Sequence, residues 1–388
     1  MLALYLALGA VFVLAENISA EAAASGSSGR TVKTSYSALE GWAEDDHRAA
    51  LQSFLRFCKT PKAGFSNGPF RLSKSRVTAL CQSATAVSTV DGQAARQFFE
   101  TEFEPHLIEA KGFVTGYYEP ELSASRVKTA EFSAPLLKAP DGLVRITSSN
   151  RPKNWPDNLS HGRKTSRGIV PLPDRGAIMD GALANEALDL VYLADPVEAF
   201  FVHVQGSARL KLVDGSVMRV GYAGKTGYPY SSVARILVQR GEGTPEQLTM
   251  EGLRRWFAKN PERRDELLAQ NRSFIFFREV DIENPADGPI GAAGLPLVAG
   301  RSLAVDLDQI TLGLPVFVQA DLDDLVDLKQ HGTGKLVIAD DTGSAIKGAA
   351  RGDLFIGSGL EAGKLAGEIR HPARMTVLVP KPLKARTK

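Results

Sequence analysis

The chain is poor in the residues that build metal centres and disulfide frameworks. Its 388 residues include only two cysteines and six histidines. The histidines are isolated, and two cysteines with no clustered histidine do not make a zinc site. We therefore expect no metal and no other cofactor.

Strong charge is also lacking. The formal net charge is +2, so no large electrostatic field selects nucleic acid as a partner. The apolar fraction of 44% and the charged fraction of 23% are ordinary for a soluble globular protein, and the length allows two domains.

One long apolar run, residues 2–15, opens the chain, but it is short for a membrane span. Small residues follow it, with an A-x-A-like site at 20–22. This pattern predicts a signal peptide over residues 1–22 and an exported protein; an uncleaved anchor is the alternative. No cysteine lies near that site, so the sequence shows no signal for lipid attachment. Residues 23–35, rich in Ala, Ser, Gly and Thr, are predicted to be a flexible leader.

The two cysteines, Cys58 and Cys81, could pair in an oxidising compartment. The bond would close a loop of about 24 residues and contribute about 3 kcal/mol. Two buried free thiols are the alternative.

Apolar periodicity divides the chain into helical and extended regions. Helical spacing occurs in 44–60 and 92–103, and capping signals predict two further helices, over 231–241 and over 244–260 with Thr244 as its cap. Residues 191–224 are predicted to be strands, with a hairpin turn at 213–215. Short apolar runs broken by Gly and Pro fill the last hundred residues, which is typical of a small barrel.

Three aspartates, Asp306, Asp341 and Asp353, stand beside apolar runs in the C-terminal region. Each alone could be a turn or cap residue, but a small barrel can bring strand ends together. Clustered, buried carboxyls keep one acid protonated near neutral pH. Such an acid can give a proton to a leaving oxygen and then act as a base.

Both glycosidases and aspartic proteases use this chemistry. Asp341 begins a D-T-G triplet, the motif of aspartic proteases, but the chain contains only one such triplet. A protease would need a second copy or a symmetric dimer, which is typically built on a shorter chain. The protease therefore stays as the less favoured alternative.

Two adjacent tyrosines, Tyr117 and Tyr118, stand in an extended segment. Neighbouring side chains on a strand point to opposite faces, so one tyrosine can pack while the other is exposed. An exposed tyrosine offers a flat apolar face to a sugar ring. Core packing of both is the alternative.

Six ordered segments between about Phe113 and Val379 resemble the membrane-bound lytic murein transglycosylase A family. The segments are GYYEP (116–120), VQGSARLKLVDG (204–215), YAGKTGYPYSSVARILVQRGE (222–242), NRSFIFFRE (271–279), GLPLVAGRSLAVDLDQITLGLPVFV (294–318) and DDTGSAIKGAARGDLFIGSGLEAGKLAG (340–367).

The resemblance implies a mainly β fold with some helices: a double-psi β-barrel with a second β-domain inserted, and a groove between them. The barrel with its N-terminal helices would use 36–120 and 286–388, and the insert 121–285. The family cleaves the β-1,4 bond between N-acetylmuramic acid and N-acetylglucosamine in peptidoglycan and leaves 1,6-anhydromuramic ends.

Residue by residue, the resemblance implies that Asp353 is the single catalytic acid and base, supported by the carboxylates of Asp341 and Asp306. Substrate contacts are expected from Gly116, Tyr117, Tyr118, Gln205, Gly206 and Lys225. A non-catalytic peptidoglycan-binding module is the main alternative. We expect a monomeric periplasmic protein, with association with the outer membrane as a further possibility for its location. The expected partners are peptidoglycan glycan strands, and cell-wall synthesis or remodelling proteins are further candidates.

Overall fold

The computed structural model describes residues 29–60, 64–66, 68–87, 91–281, 284, 287–321 and 334–382. The predicted signal peptide lies outside these residues. Within them, no helix combines the length and hydrophobicity that a transmembrane span requires.

Among the described residues, strands outnumber α-helices, and they predominate in the last hundred residues. The strands are β1 Thr31–Lys33, β2 Phe103–Ile108, β3 Gly112–Glu119, β4 Glu121–Ser125, β5 Ala134–Leu137, β6 Leu143–Arg145, β7 His161–Thr165, β8 Gly168–Val170, β9 Asp189–Leu193, β10 Ser207–Leu212, β11 Val217–Lys225, β12 Ile275–Val280, β13 Ser302–Val305, β14 Pro315–Ala320, β15 Gly334–Asp341, β16 Arg351–Ser358 and β17 Arg370–Pro380. The α-helices are α1 His47–Lys59, α2 Lys74–Thr85, α3 Gly92–Glu102, α4 Arg175–Met179, α5 Pro196–Gln205, α6 Val233–Gln239, α7 Met250–Lys259, α8 Arg264–Ala269 and α9 Gly359–Glu368.

Six strands close into a barrel in the order β17-β14-β15-β13-β16-β3, because β3 pairs again with the beginning of β17. Strands β1 and β2 extend the sheet from β17. Leu303, Val305 and Leu354 lie in its core with other apolar side chains. Helices α1 to α3 pack on the same core, and the Cys58–Cys81 disulfide joins α1 to α2.

A second sheet of six strands has the order β12-β11-β10-β4-β9-β5. An isolated bridge between Lys138 and Phe277 brings its two edges together. The chain leaves the barrel at Pro120, between β3 and β4. Strands β6, β7 and β8 form a separate three-stranded sheet. The mainly β fold with some helices is confirmed, and the exact domain limits stay a prediction.

Local predictions failed at two helices. Residues 196–205 were predicted as strand but form α5, because Asp195 caps it, Pro196 takes its first turn and apolar side chains face two cores. Helix α7 begins at Met250 with Thr249 as its cap; Thr244 instead accepts a hydrogen bond within a separate turn.

The predicted flexible leader is wrong at its end. Residues 31–33 form β1, which pairs antiparallel with β2. The β-branched Thr31 and Val32 favour an extended edge strand. Composition alone does not reveal this preference.

Candidate active site

Asp353 lies on the outer face of the barrel strand β16. Its neighbour Leu354 packs in the core, and a side chain on Gly352 would collide with core side chains. Because side chains alternate along a strand, Asp353 points away from the core. It is partly exposed, as an acid that must reach a ligand needs to be.

Four strands place a row of side chains across this face. In register, Asp353 pairs with Ala304 of β13 on one side and with Thr115 of β3 on the other. Ala304 also pairs with Asp341 of β15. The two aspartates are therefore separated by one strand, which carries Ala304 at this position.

The carboxyl of Asp353 sits at the end of a short hydrogen-bonded chain. The Thr115 hydroxyl donates to Asp353 Oδ1, and Arg351 Nη2 donates to Thr115 Oγ1 at 2.7 Å. Desolvation raises the pKa of Asp353 to about 6, and Asp341 pushes it the same way, whereas Arg351 and Thr115 oppose the rise. Asp353 can therefore exchange a proton near neutral pH.

Asp341 is held in place by two donors. Its Oδ2 accepts from the Tyr117 hydroxyl at 2.7 Å, and its Oδ1 accepts from the Ala292 backbone N–H at 2.8 Å. Desolvation raises the pKa of Asp341, and these hydrogen bonds oppose the rise. Asp341 thus lies beside the acid as an oriented hydrogen-bond acceptor.

Asp340, which sequence reasoning did not single out, is fully buried on the barrel side. Its Oδ2 accepts from Ser302 Oγ at 2.6 Å and from Arg56 Nη2 at 2.8 Å. Desolvation still raises the pKa of Asp340 to about 7. It links α1 to the strand that carries Asp341.

The supporting role predicted for Asp306 needs correction. Its Oδ1 accepts from Lys347 Nζ at 2.8 Å and its Oδ2 from the Gly348 N–H at 3.0 Å. The groups that shift the pKa of Asp353 are Arg351, Thr115 and Asp341, not Asp306. Because β13 ends at Val305, Asp306 lies past the paired residues and instead binds the loop between β15 and β16.

Neither tyrosine is an exposed platform for a sugar, contrary to the prediction. Tyr117 is 9% exposed and Tyr118 is 6% exposed. The Tyr117 ring packs on Phe355 while its hydroxyl orients Asp341. The Tyr118 ring contacts α9 at Gly363. Tyr117 is covered by a cluster that includes Leu297 and Ile346, and Tyr118 is covered by α9.

Three further predicted substrate contacts have local structural explanations. A side chain on Gly116 would lie 2.8 Å from the Cα of Ala366 in α9, so glycine permits this close packing. Gln205 Oε1 accepts from the Tyr118 N–H at 3.1 Å. Gly206, with φ of 80°, ends α5 in a left-handed conformation. Their contact with substrate stays a prediction.

Lys225, at the end of β11, reaches from the second sheet to the barrel. Its Nζ donates to Ser344 Oγ at 2.8 Å, in the loop between β15 and β16. Burial lowers the pKa of Lys225, and the cations Lys347 and Arg145 lower it further. This is the predicted substrate contact that the structure places between the two sheets.

Sequence reasoning missed Thr115 and Arg351. Both stand two positions from a predicted site residue, Tyr117 and Asp353, so period-two alternation places them on the same strand faces. Their meeting depends on the parallel pairing of β16 with β3, which no local pattern reveals. In the part of the chain that the structure describes, no group of three or more His, Cys, Asp or Glu residues could hold a metal ion.

Comparison with known proteins identifies matching family models and related structures. Residues 113–278 match the family model described as the MltA specific insert domain, and residues 301–379 match that of the 3D domain. The crystal structure of a membrane-bound lytic murein transglycosylase from Agrobacterium tumefaciens is 40% identical, with a TM-score of 0.81 over 90% of this chain and 97% of that chain.

Two Escherichia coli comparisons extend the result. Membrane-bound lytic murein transglycosylase A of strain K12 is 33% identical over 268 residues, which span 68% of this chain and 64% of that relative. The crystal structure of E. coli MltA with bound chitohexaose is 26% identical, with a TM-score of 0.65 over 92% of this chain and 95% of that chain.

The fold and the site define a barrel protein with an inserted β-sheet and a carboxyl suited to proton transfer. Given 40% identity over nearly all of the A. tumefaciens structure, the chain belongs to the membrane-bound lytic murein transglycosylase A family. The resemblance found in the sequence is confirmed.

Proposed function

We propose that this protein is a peptidoglycan lytic transglycosylase. It would cleave the β-1,4 bond between N-acetylmuramic acid and N-acetylglucosamine and leave a 1,6-anhydromuramic end. The observation that carries the proposal is Asp353, a partly exposed carboxyl whose pKa is raised to about 6. Family membership and the related E. coli structure with bound chitohexaose support an oligosaccharide as the ligand.

The first step uses Asp353 as an acid. Its proton passes to the glycosidic oxygen while the bond from that oxygen to C1 of the muramic sugar breaks. The sugar then carries an oxocarbenium-like charge. A pKa of about 6 keeps part of Asp353 protonated near neutral pH, which this step requires.

The second step uses the same residue as a base. The Asp353 carboxylate takes the proton of the C6 hydroxyl as O6 bonds to C1, so Asp353 regains its proton and no water is consumed. The nucleophile belongs to the same sugar, and its high effective concentration removes the need for a second, nucleophilic carboxylate.

The neighbours of Asp353 serve both steps. The negative charge of Asp341 favours the protonated acid before the first step. The Thr115 hydroxyl, which Arg351 orients, stabilises the carboxylate formed by that step. The opposing effects of Asp341 and of the Thr115–Arg351 pair would hold the pKa of Asp353 between that of a free aspartate and that of a buried, unpaired acid.

The same proposal extends to location and partners. The relatives are named membrane-bound, which supports a place in the cell envelope. We propose that the protein is exported to the periplasm, acts there as a monomer on glycan strands and meets other cell-wall proteins there.

Digestion of purified murein sacculi tests the proposal. The mass of the released muropeptides distinguishes anhydro ends from ends that carry an added water. We expect anhydro ends from the wild type and a loss of about 10²–10⁴-fold in rate for Asp353→Asn. The matched control is Asp214→Asn, the same change in the exposed turn between β10 and β11, which should retain full rate.

Three other results would contradict the proposal. Products with an added water would indicate a hydrolase. Undiminished turnover by Asp353→Asn would remove the assignment of the acid. Tight binding to sacculi with no product would favour the non-catalytic binding module.

A further inference from the structure

Cationic side chains gather where the three-stranded sheet meets the end of β11. Arg145 of β6 and His161 of β7 are partners in register, so their side chains share one face with Cβ atoms about 5 Å apart. A Cβ on Gly227 would lie 2.5 Å from the His161 backbone nitrogen, and one on Gly224 would collide with Leu143 of β6. The two glycines therefore let the β6–β7 hairpin lie directly against the strand end that carries Lys225.

The positive charge of Arg145 and Lys225 is not neutralised by neighbouring carboxylates of the part of the protein that the structure describes. The charged neighbours that act on Lys225 are Lys347 and Arg145, and those that act on His161 are Lys225 and Arg145. All of them are cations. Burial, with these cations, lowers the pKa of His161 to about 4, so it is neutral and can donate a hydrogen bond. Among the described residues, no carboxylate lies within ion-pair distance of Arg145 or Lys225.

The group lies close to the acid site. Lys225 donates to Ser344, which is the third residue after Asp341, so at most about 10 Å of chain separates them. In the same loop, Ile346 packs with Tyr117, which donates to Asp341, and with Ala304, which pairs in register with both aspartates. A ligand that reaches Asp353 would therefore extend past these cations.

An exposed aromatic side chain accompanies them. Tyr222, on the same strand as Lys225, is 47% exposed. Desolvation raises the pKa of its hydroxyl to about 12, and Arg145 is the charged group that acts on it in the opposite direction. Tyr222 thus offers, beside the cations, the flat apolar face that was expected from Tyr117 or Tyr118.

We propose that Arg145, His161 and Lys225 form a subsite that binds a carboxylate of the glycan substrate, with Tyr222 against an adjacent sugar ring. The planar guanidinium of Arg145 matches a carboxylate with two donors. The inference rests on the proposed function, which brings a glycan to Asp353. In murein, the carboxylate belongs either to the free lactyl group of muramic acid or to the peptide attached there. Chitin has neither, so the subsite would select murein over chitin.

Binding to the Asp353→Asn protein tests the subsite without cleavage. The probes are peptide-bearing murein hexasaccharides, the same strands freed of peptide, and chitohexaose. Adding Arg145→Gln should weaken binding of a carboxylate-bearing probe about 10-fold, the effect of losing one charged hydrogen-bond partner, and leave chitohexaose binding unchanged. Arg145 is exposed, so the variant should fold. The control is Lys164→Gln, an exposed lysine of β7, which should change none of the three affinities.

The pattern of losses identifies the carboxylate. Weaker binding of peptide-bearing strands alone assigns the peptide, and weaker binding of peptide-free strands assigns the lactyl group. An equal loss for chitohexaose, or no loss for any probe, overturns the subsite. Anhydro products from active protein without this selectivity would leave the proposed function standing, whereas selectivity without anhydro products would refute that function and retain the subsite.

Discussion

Replacing Thr115 with valine should move the pH dependence of turnover to higher pH. The substitution keeps the shape of the side chain but removes the hydroxyl that donates to Asp353 Oδ1. This hydrogen bond favours the ionised carboxyl, so its loss raises the pKa of Asp353. Since the first step needs the protonated acid, kcat/KM should fall as pH rises through the pKa, which is about 6 in the wild type.

The size of the shift follows from the strength of the bond. A hydrogen bond to a charged group contributes about 1.5–3 kcal/mol, and one pKa unit corresponds to about 1.4 kcal/mol. We therefore expect the falling limb of the profile to move upward by about 1–2 units, even if the maximal rate drops. The assay is release of anhydromuropeptides from sacculi across pH 5 to about pH 9, with fold integrity checked at each pH.

The matched control is Thr376→Val. Thr376 is a buried barrel residue whose hydroxyl has no hydrogen-bond partner among the described residues. Its replacement should leave the profile unchanged. A falling limb that stays at the wild-type pH in Thr115→Val, or shifts equally in Thr376→Val, would refute the link between Thr115 and the protonation of Asp353.

Three predictions concern stability, each measured by chemical denaturation. Burial raises the pKa of Asp340 from 3.8 to about 7, so its contribution to the free energy of unfolding is fully present below pH 3.8 and is lost as pH rises to 7. The loss is at most about 4 kcal/mol. Asp340→Asn should flatten this pH dependence. Gly116→Ala should destabilise by about 1–3 kcal/mol through collision with α9, whereas Gly367→Ala, with open space around it, should not destabilise; equal effects would contradict the packing explanation. Replacing Cys58 and Cys81 with serine should lower the free energy of unfolding by about 3 kcal/mol. An unchanged free energy of unfolding after reduction of the wild type would argue against the disulfide.

Local signals predicted the elements well where one face of an element is buried. The helices within 44–60 and 92–103 have one apolar stripe and a capping aspartate, and the structure contains both as α1 and α3. Helix α5 was missed because its apolar side chains face two cores, which removes the helical period. A continuous apolar run cannot be assigned from periodicity alone.

The site divides in the same way. Local pattern alone indicated that Asp341 and Asp353 stand at apolar strands, and the resemblance selected Asp353. The sequence could not indicate that Asp306 would bind Lys347 or that both tyrosines would be covered. These outcomes depend on which loops and helices lie over the strand ends.

The amino-acid sequence by itself determined the mainly β character, the residues able to carry a proton and the family to which the chain belongs. Tertiary structure alone decided which of those residues meet. Thr115 and Asp353 are 238 positions apart, and only the parallel pairing of β3 with β16 places the hydroxyl on the carboxyl. The raised pKa of Asp353 has the same origin, since desolvation and the neighbouring Asp341 both come from the closed barrel. Alternation along a strand is local, whereas register between strands depends on the whole fold.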